Sequence, residues 1–321
     1  MPSFRKTLGF AVAGLAAVSS ALPALPKLSK DQMRIYEHAK RQNEAAAAQG
    51  LNDIDILQFA LTLEWLEATF YQQGFAKFPA SDFQALGLDR QQIDALLKVG
   101  KTEEEHVVLL QSAIAQAGVQ PVQPCTYNFG FTDAAGMVAT AAVLENVGVS
   151  AYLGAAALLS SGSILTTAGS ILTVEARHQT FIRAASGSIA VPQAFDTPLS
   201  PRQVFSLAAP FIESCPEGSS LVLTAFPALA MPEGAPAAGA VAAGATIRPH
   251  SDAAAEATHC AFTTGGIPGG TAFTPFDQAA GCAVPENLAG ITYVNLASAA
   301  PLDGVLTDDL IVAGPMVMQV S

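Results

Sequence analysis

Two stretches of this 321-residue chain place a glutamate and a histidine three residues apart. They are Glu103 and His106 in "EEEHVVLL", and Glu175 and His178 in "VEARHQTF". Residues at i and i+3 share one face of a helix, so each pair can offer a carboxylate and an imidazole to the same partner. Two further stretches bury a glutamate in apolar surroundings: Glu64 in "LTLEWLEATFY" and Glu145 in "VLENVGVSAY". Each of these glutamates is followed seven residues on by a tyrosine, Tyr71 and Tyr152. Seven residues is two helical turns, so each tyrosine lies on the face of its glutamate. The order along the chain is Glu/Tyr, Glu-x-x-His, Glu/Tyr, Glu-x-x-His. The spacings are 145 − 64 = 81 and 175 − 103 = 72, a difference that loops can absorb.

One Glu from each of two helices, with a Glu-x-x-His from each of two others, is the donor pattern of a di-metal carboxylate bundle. Four carboxylates carry four negative charges, which two divalent cations cancel. Hard oxygen donors with some imidazole suit iron or manganese, with zinc also able to bind. Without metal the carboxylates would have to protonate or find other cations, and Arg177 is the nearest candidate. Glu67 raises a separate question. It lies one turn from Glu64 in a run with no lysine or arginine, and an unpaired buried carboxylate costs several kcal/mol. It has no role in the six-donor pattern and reads as a spare ligand or as a partner to the ligands. The matching position in the second half of the echo is Gly148.

Motif counts alone are weak. A third Glu-x-x-His, Glu256 to His259, lies in a Gly/Pro/Ala-rich region without a matching carboxylate helix and reads as chance. Glu104 and Glu105 read as a solvated acidic face, and His38 and His250 as surface residues. Tyr71 and Tyr152 are also compatible with plain core positions.

The elements that must position these residues are four long helices. The first is predicted over Asp53–Lys77, with Asn52 or Asp53 as cap and Pro79 as stop. The second runs over about 89–117 and carries an apolar stripe of Ile93, Leu96, Leu97, Gly100, Val107, Leu110 and Ile114, on which Glu103 falls. The third runs over about 133–159 with Thr132 as cap, and the fourth over about 164–185. The first and third are apolar nearly all round. The third is long enough to span a bilayer, but Glu145 and Asn146 at its middle favour a buried helix. Beyond residue 192 the chain reads as one short helix, "PRQVFSLAAPFIES". Strand-like runs follow: "SSLVLTAF", "CAFTT", "ITYVNLA" and "LIVAGPMVMQV".

Half of the residues are apolar and the formal net charge is −12, which disfavours nucleic acid and anionic membranes as partners and leaves cations favoured. Arg5 and Lys6, an apolar stretch and small residues at 19–21 read as a signal peptide over 1–21, giving a secreted protein with no membrane span in the mature chain. Four cysteines then suggest two disulfides with three connectivities, of which Cys125–Cys215 with Cys260–Cys282 is favoured. No phosphate-binding loop, nucleophile elbow or Cys-x-x-Cys pair occurs.

Through these four motif segments the chain resembles the ferritin-like superfamily. In particular it is similar to secreted fungal ferritin-like proteins related to the desiccation- or stress-related ones of plants and bacteria. The resemblance implies a mainly α fold, a ferritin-like four-helix bundle over 53–190. A lead-in segment over 22–52 would precede it, and a smaller, β-rich C-terminal region over 191–321 would follow. It implies Glu64 and Glu145 as terminal ligands, Glu103 and Glu175 as bridges, and His106 and His178 on one metal each. Tyr71 falls where many members keep a tyrosine beside the metals. Two classes of function follow. One is a di-iron or di-manganese oxidoreductase acting on O2, peroxide or metal itself. The other is a non-enzymatic stress or surface protein, extracellular or associated with the cell wall. A homo-oligomer is compatible with both.

Overall fold

The computed structural model describes residues 51–219, 223–232 and 241–320. The signal peptide and all of the lead-in segment except its last two residues lie outside them.

Helix α1, Asp53–Lys77, begins at a capping box: the Asn52 side chain accepts from the amides of Ile54 and Asp55, and Asp55 accepts from the Asn52 amide. It stops before Pro79, where Phe78 is extended. A short helix, α2 (Ala80–Ala85), follows, which sequence reasoning did not anticipate. Helix α3, Arg90–Gln116, starts at a second capping box between Asp89 and Gln92. Helix α4, Ala134–Ala155, is capped by Asp133 and not by Thr132: the Asp133 carboxylate accepts from the Gly136 amide at 2.7 Å. A carboxylate at a helix N-terminus also meets the positive end of the dipole, which favours it over a hydroxyl. Helix α5, Gly162–Ala185, is capped by Ser161.

Helix α1 packs along α3, and α4 along α5, and the two pairs close into a four-helix bundle. The stripe on α3 is buried as expected except at Leu97, which is 46% exposed. Val99 takes its place in the core, so the stripe is rotated by a small step from the sequence reading. The segment Ala134–Leu158 meets the length and composition of a membrane span, yet most of it is buried within the protein. Its neighbours are α1, α5 and the C-terminal region. Gly154 allows that contact, since a Cβ there would lie 1.9 Å from the Leu199 carbonyl oxygen.

Helix α6, Pro201–Ala208, lies against α4. The "FIES" end of the predicted helix instead forms a 3-10 turn and strand β2 (Ile212–Ser214), which pairs with β1 (Thr126–Tyr127) beside the Cys125–Cys215 disulfide. The described part of "SSLVLTAF" carries no strand. Strands β3 (Thr246–Ile247) and β6 (Cys282–Ala283) form a second short pair. The main sheet is antiparallel, in the order β5-β4-β7-β8, with β4 at His259–Thr263, β5 at Thr271–Pro275, β7 at Gly290–Ala297 and β8 at Ile311–Val320. Strand β5 is a further element missed from sequence. The second disulfide, Cys260–Cys282, ties β4 to β6.

Every residue of β7 is buried. Side chains alternate faces along a strand. Ile291 and Tyr293 join the bundle core, while Val294 and Leu296 join a second core with Cys260, Phe262 and Met318. The sheet is therefore sandwiched between the bundle and its own hydrophobic cluster. This explains a strand that is buried on both faces along its whole length.

Candidate metal centre

All four motif glutamates are fully buried at the centre of the bundle, and His106 and His178 are nearly so. The structure brings them into two groups. Glu64, Glu103, His106 and Glu175 form one; Glu103, Glu145, Glu175 and His178 form the other. In each group one ligand atom per residue lies within 4.8 Å of the others, so each could hold a metal ion. Glu103 and Glu175 belong to both. Glu256 and His259 do not form a helical pair: Glu256 ends a 3-10 turn and His259 begins β4.

The halves of the sequence echo face each other across this cluster. Tyr71 on α1 donates to Glu145 Oε1 on α4, and Tyr152 on α4 donates to Glu64 Oε1 on α1 at 2.5 Å. Burial, and then the facing carboxylate, hold both phenols well above the usual tyrosine range, so they remain neutral donors.

The histidines point Nδ1 inward. His106 Nδ1 lies 3.2 Å from Glu64 Oε2, 3.0 Å from Glu103 Oε2 and 3.1 Å from Glu175 Oε1. His178 Nδ1 lies 2.7 Å from Glu103 Oε1 and 3.1 Å from Glu145 Oε2. The outer nitrogen of His178 meets Thr102 Oγ1 at 2.9 Å, and that hydroxyl donates to the Val99 carbonyl at 2.7 Å. Thr102 then accepts from Nε2–H, an assignment made from the network, and a neutral ring leaves its Nδ1 lone pair facing the cluster. Sequence gave no signal for Thr102.

The centre crowds carboxylates into a buried space. Burial, followed by the charge of Glu145, pushes Glu103 up to about 7. Burial and the neighbouring carboxylates hold Glu175 and Glu67 well above the usual glutamate range. Burial alone would lower the histidines, but the carboxylates around them outweigh it: His178 rises to about 9, and His106 is raised further. One N–H at His106 cannot serve three carboxylates at once. Glu103 Oε1 and both oxygens of Glu175 are buried without a hydrogen-bond partner; the imidazoles near two of them sit at ion-pair distance but out of hydrogen-bond alignment. Among the described residues the ion-pair partners of this cluster are its own histidines, and Arg177 is not one of them. Orphaned buried oxygens facing inward fit divalent cations.

Glu67 also turns into this centre, 4% exposed. Its counterpart in the echo, Gly148, lies against it. A Cβ on Gly148 would sit 2.9 Å from Glu175 Oε2 and 3.2 Å from Glu67 Oε1. The fifth carboxylate thus occupies space left by the missing side chain of its own echo position.

A polar network supports the cluster from the C-terminal side. Tyr293 of β7 accepts from Asn146 Nδ2 at 2.5 Å and contacts Ser150 Oγ at 2.8 Å, and Gln179 donates to Asn146 Oδ1 at 2.5 Å. Asn146 follows Glu145, and Gln179 follows His178. The sheet is thereby bonded to the residue after a carboxylate of the cluster and, through it, to the residue after an imidazole.

The sequence of 52–188 matches a family model described as a ferritin-like domain. This chain contains a ferritin-like domain. The match takes in all six motif residues and both tyrosines, and it ends before α6 and the sheet. Protein rds1 of Schizosaccharomyces pombe (strain 972 / ATCC 24843) is 28% identical over 178 residues, covering 55% of this chain and 44% of that protein. The chain therefore spans less than half the length of that curated relative. A crystal structure of a conserved hypothetical protein, rv2844, from Mycobacterium tuberculosis overlaps 49% of this chain and 99% of its own at 18% identity, with a TM-score of 0.35. So low a score supports no argument about the present protein.

Proposed function

We propose that the ferritin-like domain holds two divalent cations, iron or manganese in preference to zinc, and that the protein is a secreted metal-, O2- or peroxide-handling protein. One observation carries this reading: the two donor groups share Glu103 and Glu175. Glu103 and Glu175 would bridge, Glu64 with His106 would complete one position, and Glu145 with His178 the other. Two such ions would supply Lewis acidity and, for iron or manganese, one-electron redox chemistry.

The remaining residues have roles that follow from their contacts. Tyr71 and Tyr152 hold the terminal carboxylates by one oxygen each and leave the other facing the histidines, Glu64 Oε2 toward His106 and Glu145 Oε2 toward His178. Thr102 orients His178, as partners of ligating histidines generally do. Glu67 is the fifth carboxylate where two divalent charges balance four, and its burial favours the neutral acid. Apolar walls from α1 and α4 keep bulk water away from all of them. Secretion is supported by the two disulfides, which persist in oxidising compartments.

The test is elemental analysis of the purified protein. About two iron or manganese ions per chain, lost in Glu103→Ala, is the expected result. A metal-free protein whose melting temperature does not rise with Fe(II), Mn(II) or Zn(II) would refute it. Oxygen uptake on adding Fe(II) then separates catalysis from a structural metal in a stress-related scaffold.

A further inference from the structure

The two tyrosines occupy equivalent places, but the space beyond them differs. Beyond Tyr71 the bundle is filled by rings: Phe75 stacks on Tyr71 with centroids 5.7 Å apart, and Phe70 meets it edge-on at 5.1 Å. Applying the echo spacing of 81, Phe70 corresponds to Ala151 and Phe75 to Ala156. Both alanines line a cavity of about 140 Å³ beyond Tyr152. All four long helices form its walls, which are apolar, and Ala60, Ala113, Ala155 and Ala168 widen it further. The Tyr152 ring is part of one wall, and its hydroxyl donates to Glu64. Leu109 on α3 and Ser163 on α5 line the cavity yet are exposed, so it opens between those two helices.

We infer that this cavity is a binding site for a small apolar molecule of about six to eight carbon atoms, held against Tyr152 beside the carboxylate cluster. The size follows from the volume: an apolar cavity of about 150 Å³ in a protein interior stays dry and takes up benzene. The class follows from the walls, which are apolar but for Tyr152, Ser163 and Thr167 and carry no charged group. The position follows from Tyr152, one hydrogen bond from Glu64. As the substrate pocket of a di-metal site it rests on the reading of the previous section; the binding itself does not.

The experiment is fluorine NMR titration of fluorobenzene into the full mature protein, with and without Mn(II), and into two variants that copy the filled end, Ala156→Phe and Ala151→Phe. The wild type should bind saturably, with a Kd below about 1 mM. Each variant should weaken binding at least about tenfold, because the added ring takes the ligand's place, while melting no lower than the wild type. Should Ala151→Phe fail to fold, Ala156→Phe, at the half-buried rim, decides alone. Non-saturating uptake by the wild type, or equal affinity in a folded Ala156→Phe, would overturn the proposal. Saturable binding in a protein that takes up no metal would uphold the pocket and sink only the metal reading.

Discussion

Replacing Gly148 by alanine should separate the fold from the metal site. Ordinary contact begins at about 3.4 Å, and the new Cβ would start 2.9 Å from Glu175 Oε2, so that oxygen must withdraw by 3.4 − 2.9 = 0.5 Å. Glu67 Oε1, at 3.2 Å, must withdraw by 3.4 − 3.2 = 0.2 Å. A metal constellation tolerates about 0.5 Å of misplacement before function suffers. Disturbing the surroundings of ligands typically costs about 10- to 100-fold in metal affinity. At fixed metal concentration, that removes about 1.4 to 2.7 kcal/mol of metal-dependent stabilisation. The metal-free protein should respond in the opposite sense or not at all. Alanine is favoured over glycine in a helix interior by about 1 kcal/mol, which offsets the cost of moving two flexible side-chain ends. The assay is paired thermal melts of wild type and Gly148→Ala, metal-free and with excess Mn(II), together with calorimetric titration of metal. Unchanged metal affinity in a folded Gly148→Ala would refute the claim that this glycine exists to make room for carboxylates at the centre. A large loss of metal-free stability would refute it too, since it would make Gly148 an ordinary packing position.

Tyr293→Phe leaves Asn146 and Ser150 without their buried partner and should cost about 1 to 3 kcal/mol in urea unfolding. It should also weaken metal binding, because Asn146 and Gln179 adjoin Glu145 and His178; unchanged affinity would confine Tyr293 to a packing role. In the metal-free protein Glu103, raised to about 7, and His178, raised to about 9, hold protons more tightly folded than unfolded. Their contribution is therefore complete at low pH and is lost as pH rises through the window from the ordinary glutamate value to about 9. Urea midpoints of metal-free protein should fall between about pH 5 and pH 8, while metal affinity should climb over the same range as cations displace protons. Metal-free protein that is more stable at the higher pH would contradict this.

That these six residues come together was legible in the sequence because helical periodicity is local. Glu-x-x-His at i, i+3 and Glu with Tyr at i, i+7 fix which side chains share a face before any packing is known. The cap of α1, narrowed to Asn52 or Asp53, and the Pro79 stop were legible for the same reason. Misassignment came where local signals compete: Asp133 over Thr132 at the α4 cap, Val99 over Leu97 in the α3 stripe, and the strand β2 at the end of a predicted helix. Which faces meet was not legible. Sequence left Glu67 without a partner and Gly148 as a mere gap in the echo. Only packing α1 against α4 places one in the space of the other. The exchange of tyrosines between halves, Tyr71 to Glu145 and Tyr152 to Glu64, also exists only across helices. Thr102, Tyr293 and the hollow beyond Tyr152 depend on contacts between residues 76, 147 and up to about 112 positions apart, which no local pattern encodes. The sequence by itself determined the candidate residues and their helical faces, since backbone geometry alone dictates which side chains share a face. The tertiary structure decided which carboxylates are shared, what orients the histidines and where a ligand could enter, since those depend on how the four helices pack.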